Sequence, residues 1–271
     1  MIHKNKINRA AMYLFLSVFS LISLFPFFWM VVSSTNTATD INKGKFTFGD
    51  QLLANIHRLS EQVDLGVIFW NTSKIAILST LFTLLVASMA GYGFEVYKSK
   101  IRDRVYGALL LTMMIPFAAL MIPLFTLMAK AQLLDTHAAV MLPTIASVFV
   151  IFYFRQCTKA FPHELIDAAR VDGVKDWKIY VFVYIPVMKT TYAAAFIIVF
   201  MTSWNAFLWP LIVLQSADLK TINLVLSSLS SAYFPDFGII MVGTVVATLP
   251  TLAVFFAMQK QFVAGMTGSV K

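Results

Sequence analysis

Cysteine occurs once in the chain, at Cys157, so no internal disulfide can form, and no Cys/His pair has the spacing of a zinc site or a redox motif. No G-x-x-x-x-G-K-[ST] loop and no Gly-rich nucleotide fingerprint is present, which excludes ATP hydrolysis by this chain alone. A nucleophile elbow, an H-E-x-x-H pair and a membrane-embedded pair of acids are also missing, so an intramembrane enzyme is disfavoured and no catalytic or metal-binding residue is predicted. Charge is scarce, at 13% of the residues. Internal repeats and low-complexity segments are absent.

What fills the chain instead is apolar. Of 271 residues 59% are hydrophobic, 25 of them Phe, and the mean hydropathy is +0.78, far outside the range of a water-soluble domain. The net charge of +8 does not point to nucleic acid, because the bases lie in short clusters between apolar runs. Met1 to Arg9 followed by apolar Ala10 to Val32 superficially resembles a signal peptide, yet that run exceeds the roughly 7 to 15 residues of a cleaved signal core. An uncleaved first span is expected.

Backbone N–H and C=O groups cannot be left unpaired in hydrocarbon, so each run of about 20 apolar residues predicts a helix. Six such runs are read, at about 11–32, 73–94, 105–129, 138–157, 190–214 and 237–259, giving an all-α polytopic fold. Assigning the connections to alternate sides puts Lys4, Lys6, Arg9, Lys98, Lys100, Arg102, Arg104, Arg155, Lys159, Arg170, Lys175, Lys178, Lys189, Lys260 and Lys271 on one side. The other side keeps Lys43, Lys45, Arg58, Lys74, Lys130 and Lys220, diluted by seven acids. Both termini are therefore expected in the cytoplasm. Pro116, Pro123, Pro143, Pro210 and Pro250 lie inside the runs, where each removes a backbone donor; neighbouring helices ordinarily satisfy the freed carbonyl. The external segment 33–72 holds a candidate surface helix from Asp50 with Leu52, Leu53, Ile56 and Leu59 at helical spacing.

The deep parts of the runs carry no ionisable side chain, and Lys74, Glu95, Arg155 and Lys189 are expected at span ends, snorkelling. Proton- and ion-driven carriers generally keep such groups at membrane depth, so a self-powered secondary carrier is the rival reading. A pore subunit driven by a separate partner fits better.

One stretch breaks the apolar pattern: HELIDAARVDGVKDWKIYVFVYIP, residues 163–186, which carries four acids and, with His163, four basic side chains. Pro162 suits the first turn of a helix, Glu164 puts negative charge at its positive end, and Gly173 after Asp172 suits a left-handed stop. A helix over 162–172 is predicted, with Leu165, Ala168, Ala169 and Asp172 forming a narrow, small-centred face. A second helix is predicted from Asp176 through Trp177, Ile179, Val181 and Val183 until Pro186 ends it. An anionic leaflet would repel Glu164, Asp167, Asp172 and Asp176, so docking onto a protein is the better reading than lying on lipid.

Asp167-Ala168-Ala169, three residues, Gly173, nine residues, then Val183-Tyr184-Ile185-Pro186 resembles the EAA signature of binding-protein-dependent ABC importer permeases, usually E-A-A-x3-G-x9-I-x-L-P. Asp replaces Glu, Val183 replaces Ile and Ile185 replaces Leu. The resemblance covers nearly the whole chain and is nearest the carbohydrate subgroup typified by the G subunit of the maltose permease. Ala90-Gly91-Tyr92-Gly93-Phe94, with Gly93 in place of alanine, resembles that subgroup's A-G-Y-A-F. Ile122-Pro123-Leu124-Phe125, Leu133-Leu134-Asp135-Thr136, Trp204-Asn205-Ala206-Phe207-Leu208-Trp209-Pro210-Leu211 and the tail Gln261-Phe262-Val263-Ala264-Gly265-Met266 through Val270-Lys271 match it as well.

The resemblance implies a single transmembrane permease domain over 1–271, with a coupling loop at 159–189, in a bacterial or archaeal cytoplasmic (inner) membrane. Its implied partners are a second homologous permease, two ABC ATPase subunits and an extracytoplasmic solute-binding protein, with lipid around it and a sugar as substrate. ATP and Mg would be bound by the ATPases and no cofactor by this chain. Glu164, Asp167, Ala168, Ala169, Arg170, Gly173 and Pro186 would make the ATPase-coupling contact, and the tail would reach between the ATPases. Trp204, Asn205 and Trp209 are the substrate-path candidates, since aromatic stacking plus an amide suits a sugar. Tyr233, Phe234 and Pro235 are the candidate binding-protein contact. An importer of another solute, such as glycerol phosphate, is the rival within this class.

Overall fold

The computed structural model describes the backbone of residues 2–266 and the side chains of residues 9 and 11–261. Of the tail element, the side chains of Phe262 to Met266 and residues 267–271 therefore lie outside the described residues, as do the side chains of Lys4 and Lys6. Among the described residues the secondary structure is entirely helical. In chain order the α-helices are α1 Ile2–Ser34, α2 Ala38–Asn42, α3 Leu52–Gln62, α4 Leu65–Val96, α5 Lys100–Thr112, α6 Phe117–Lys130, α7 His137–Ile145 and α8 Val148–Thr158. They continue with α9 Glu164–Val171, α10 Asp176–Ile179, α11 Ile185–Val187, α12 Lys189–Trp204, α13 Leu208–Val213, α14 Ile222–Ser230 and α15 Phe237–Met266; a π-helical turn, Tyr180–Tyr184, joins α10 to α11.

Four stretches are long and apolar enough to cross a membrane: Ala11–Ser34, Leu65–Val96, His137–Thr158 and Phe237–Gln261. Two bent pairs raise the number to six if each is one span. The third predicted run is one of these pairs: α5 and α6 are bent by 103°, with the break at Met113–Pro116. Pro116 caps α6 with extended backbone, which a residue lacking an N–H and locked in φ does readily. The fifth run is interrupted too, because α12 ends at Trp204 and α13 begins at Leu208, two residues before Pro210. In the fourth run α7 stops at Ile145 after Pro143. Pro123 and Pro250 sit inside continuous helices.

The chain divides into two compact units, Met1–Leu65 with Val225–Leu249, and Gly66–Leu224 with Pro250–Lys271. In the first unit the end of α1 is held by a polar knot. Asn36 Nδ2 donates to Val32 O and Thr47 O, each at 2.9 Å, and Asn55 Nδ2 donates to Ser34 O at 2.8 Å and Asn36 O at 3.0 Å. The Asn55 amide also meets Arg58, which reaches Asp236 at 3.5 Å. The helix expected from Asp50 exists as α3, but its buried stripe is Asn55 and Leu59; Leu52, Leu53 and Ile56 face outward. The long apolar face of α1, including Phe15, Phe19, Leu21 and Phe28, is also exposed, as a lipid-facing span requires and a soluble helix could not tolerate.

In the second unit α4 is the axis. It buries Ile75, Ala76, Leu84, Ala87 and Tyr92 into four clusters, and its polar residues find backbone partners. Asn71 Nδ2 donates to Asp218 O at 2.7 Å, and Thr72 Oγ1 accepts from Ile222 N at 2.9 Å. At Gly91 a Cβ would lie 2.7 Å from Phe154 Cβ and 2.8 Å from Arg155 N, so only glycine allows α4 and α8 to approach this closely. Around Gly93 there is nothing within 4 Å, which is why alanine serves equally well there.

Three of the four predicted snorkelling charges behave otherwise. Glu95 is buried, receiving Lys98 Nζ at 2.7 Å and Arg155 Nε at 3.4 Å, and Arg155 continues to Asp103 at 2.8 Å while lying 3.9 Å from the Tyr106 ring centroid. A buried carboxylate this close to two cations is paired, as burial of charge demands. Lys74 is not at a span end, because α4 begins nine residues before it.

Candidate functional site: the glycine-hinged segment 162–188

Glu164 opens α9 and Arg170 lies in its last turn, so both charges complement the helix dipole. At the other end Gly173 has φ +74°, its N–H donates to Arg170 O at 3.0 Å, and Val174 N donates to Ala169 O at 3.0 Å. That pair of bonds is a Schellman stop, and it satisfies the last carbonyls of α9. The predicted glycine turn is present. Of the predicted face, Leu165, Ala168 and Asp172 point outward and Ala169 is partly buried; Ile166, 1% exposed, anchors the helix. Helix α9 is also shorter than expected at its start, Pro162 and His163 preceding it.

Arg170 fastens the turn. Its Nε meets Asp176 Oδ1 at 3.2 Å, its Nη1 lies 3.7 Å from Asp167 Oδ1, and its guanidinium sits 5.5 Å from the Tyr97 ring centroid. Burial, then the hydrogen bond and negative charge of Asp176, push the Tyr97 hydroxyl above the usual phenol range. Pro186 does not end the second helix. It occupies the first turn of α11, where its missing N–H costs little, and the chain turns at Met188, where Asp176–Val187 and α12 are bent by 80°.

Beneath this pair lie Tyr92, Phe161, Ile166, Ile179, Tyr184 and Met188, all buried. Tyr184 OH and Thr158 Oγ1 are 2.7 Å apart, and the Tyr92 and Tyr184 rings meet edge-on at 4.7 Å. Above it the outward side shows Glu164, Leu165, Asp167, Ala168, Val171, Asp172, Val174 and Trp177 to solvent. The segment is thus a braced turn with a buried floor and an exposed outer surface of mixed charged and apolar groups. The floor was not anticipated from the sequence; the Tyr180-x3-Tyr184 repeat within the signature is the signal that marks it.

The substrate-path candidates fall in different environments. Trp204 is 2% exposed, stacked on Phe200 at 5.7 Å and edge-on to Phe69 at 5.6 Å. Trp209 is 5% exposed and its Nε1 donates to Ala139 O at 2.9 Å. Neither indole offers a free face, a departure from the stacking role expected of them. Asn205 alone is exposed, in the break between α12 and α13, with Nδ2 on Met201 O at 2.8 Å and Oδ1 left to accept. Tyr233 and Phe234 are 91% and 86% exposed, their rings 4.7 Å apart, with Pro235 half-buried beside them.

Residues 83–268 match the family described as binding-protein-dependent transport system inner membrane component. The chain belongs to that family. It is a membrane component of a transport system, not an enzyme. A lactose transport system permease protein, LacG, of Rhizobium radiobacter is 60% identical over 268 residues, covering 99% of this chain and 98% of the relative. The arabinooligosaccharides transport system permease protein AraQ of Bacillus subtilis is 35% identical over 271 residues, covering 98% and 96%. In the crystal structure of a bacterial ABC transporter involved in the import of the acidic polysaccharide alginate, one chain superposes with a TM-score of 0.77 at 22% identity, covering 96% of this chain and 98% of that one, which shows a shared fold.

Proposed function

We propose that this chain is one of two permease subunits of an ATP-driven importer for an oligosaccharide, with six spans, both termini in the cytoplasm and the segment 163–186 engaged by an ABC ATPase. The observation that carries this is the braced, exposed helix pair around Gly173 in a chain with no nucleotide motif of its own. Fifteen of the 21 bases fall on the side that holds this segment, which supports its cytoplasmic placement. Glu164, Asp167, Ala168, Arg170 and Gly173 present or shape the contact, and Pro186 with Ala169 belongs to its support.

ATP and Mg stay in the two ATPases. Their closure favours one of two permease states and so turns the pathway between inward and outward facing. The relatives named for lactose and arabino-oligosaccharides favour a neutral sugar. Asn205, at a helix break, supplies the amide contact to that sugar, and Trp204 and Trp209 hold the break in shape. Exposed Tyr233 and Phe234 anchor the solute-binding protein.

The test is uptake into proteoliposomes holding this chain, its partner permease and the ATPases, with binding protein outside. ATP-dependent uptake of labelled lactose is expected, abolished by omitting any one component. Uptake of glycerol phosphate in place of sugar selects the rival importer; uptake driven by an ion gradient without ATPase selects the secondary carrier.

A further inference from the structure

The coupling segment enters the membrane through an unusual joint. The π-helical turn Tyr180–Tyr184 closes with Ile185 N donating to Tyr180 O, and three residues later the chain bends by 80° into α12. Single π turns inside helices recur at functional positions because their extra residue redirects side chains. Here the redirected residue is Tyr180, whose ring stacks on Tyr184 at 5.6 Å with 20° between the planes and meets Tyr92 at 5.3 Å.

The Tyr180 hydroxyl is the middle of a chain. Tyr192 OH lies 3.1 Å from it and Ser88 Oγ 2.7 Å from it on the other side, and Ser88 Oγ donates to Leu85 O at 3.2 Å. Each hydroxyl has one proton. Leu85 O can only accept, so one order satisfies all three hydroxyls: Ser88 donates to Leu85 O, Tyr180 to Ser88 and Tyr192 to Tyr180. All three groups are satisfied in one direction, and the three residues sit on α12, the π turn and α4.

Tyr180 precedes the 80° bend and Tyr192 follows it, so this contact straddles the joint. A rotation of Asp176–Val187 about Met188 must either break the hydroxyl chain or carry α4 and α12 along. Ser88 is buried and the two tyrosines are half-buried, so opening the chain costs free energy chiefly by leaving the Ser88 oxygen without its partner and out of reach of water. We propose that Tyr180 is a positioning residue for transport: its hydroxyl locks the coupling segment to α4 and α12, so that displacement of the segment moves both spans.

This inference rests on the coupling function proposed above, and one set of measurements separates the two. Tyr180→Phe, Ser88→Ala and Tyr184→Phe are introduced into the full importer in proteoliposomes, and ATP hydrolysed per sugar transported is measured alongside complex yield. Loss of one bridging bond corresponds to roughly a twofold to tenfold change in coupling. A rise of that size in the ATP-to-sugar ratio is expected for Tyr180→Phe and for Ser88→Ala, with no further rise in the double variant, and ATPase binding retained. Tyr184→Phe removes a hydroxyl contact to Thr158, more deeply buried than the bridging ones, that does not cross the bend, and its ratio should stay at the wild-type value. An unchanged ratio in both bridging variants, or an equal rise in all three, overturns the inference. If the wild-type complex shows no ATP-driven uptake, the coupling reading itself fails.

Discussion

Arg170 and Asp176 meet at 3.2 Å across the turn made by Gly173, joining the helix before it to the helix after it. The ion pair is exposed and contributes little alone, but it closes over a turn whose backbone is already fixed by two hydrogen bonds. The segment can therefore be pushed from outside as one piece.

Replacing Gly173 with valine tests that stiffness through the backbone alone. No atom lies within 4 Å of a Cβ there, so any effect comes from φ +74°, which costs an L side chain about 1–2 kcal/mol. Sugar uptake per ATP should fall while the permease stays in the membrane at normal levels. Asn, which tolerates the left-handed region, should retain most of the coupling; equal rates in wild type and Gly173→Val would show that the turn is not part of the machinery.

Ile166 is the plug that seats α9. Ile166→Ala should cost about 2–4 kcal/mol of local stability and expose α9 to faster amide exchange. Protection of residues 164–171 measured by hydrogen exchange checks this, with Leu165→Ala on the exposed side as the variant expected to leave protection unchanged.

Gly91→Ala places a methyl group 2.7 Å from Phe154 Cβ and 2.8 Å from Arg155 N, and should destabilise the α4–α8 contact by about 1–3 kcal/mol. Gly93→Ala, two residues away in open space, should be neutral or slightly stabilising. Thermal unfolding in detergent separates the two; equal midpoints would contradict the packing.

Asp135 gives the pH dependence. Its carboxylate accepts from the Ser216 hydroxyl, from Ser216 N at 3.0 Å and from Gln215 N at 2.8 Å, and in that order these hold its pKa below the ordinary carboxylate value. A depressed folded pKa contributes stability that is present above about pH 4 and lost as the pH falls through the lowered value. Asp135→Asn, which tolerates the same φ of +57°, should flatten the acid side of a plot of thermal midpoint against pH; an unaltered acid side would mean that this staple carries no stability.

The apolar runs and the Gly173 turn were legible because each is written locally, in an unbroken row of lipid-compatible side chains and in a residue whose φ freedom is unique. The breaks at 113–116 and 205–207 were less so. A proline in a membrane helix is compatible with a kink, a break or no change, and only the neighbouring packing decides; Pro116 lies in a break and caps the helix after it, whereas Pro123 and Pro250 lie inside helices. Glu95 and Arg155 were misplaced as snorkelling charges because their pairing joins positions 60 apart. The tryptophans proposed for the substrate path fit a sugar by type, yet Trp209 commits its only N–H to Ala139 O. Side-chain type reveals what chemistry is possible, and burial reveals whether it is free.

The most direct test of the account is a cross-link from Ala168, exposed at the centre of α9, in the assembled importer. With Cys157→Ser removing the single native cysteine, Ala168→Cys treated with a short bifunctional thiol reagent should give an adduct with the ATPase subunit, in a yield that changes when ATP is added. An importer that transports sugar at normal rates while Ala168→Cys reacts freely with soluble reagents and never joins the ATPase would contradict the account.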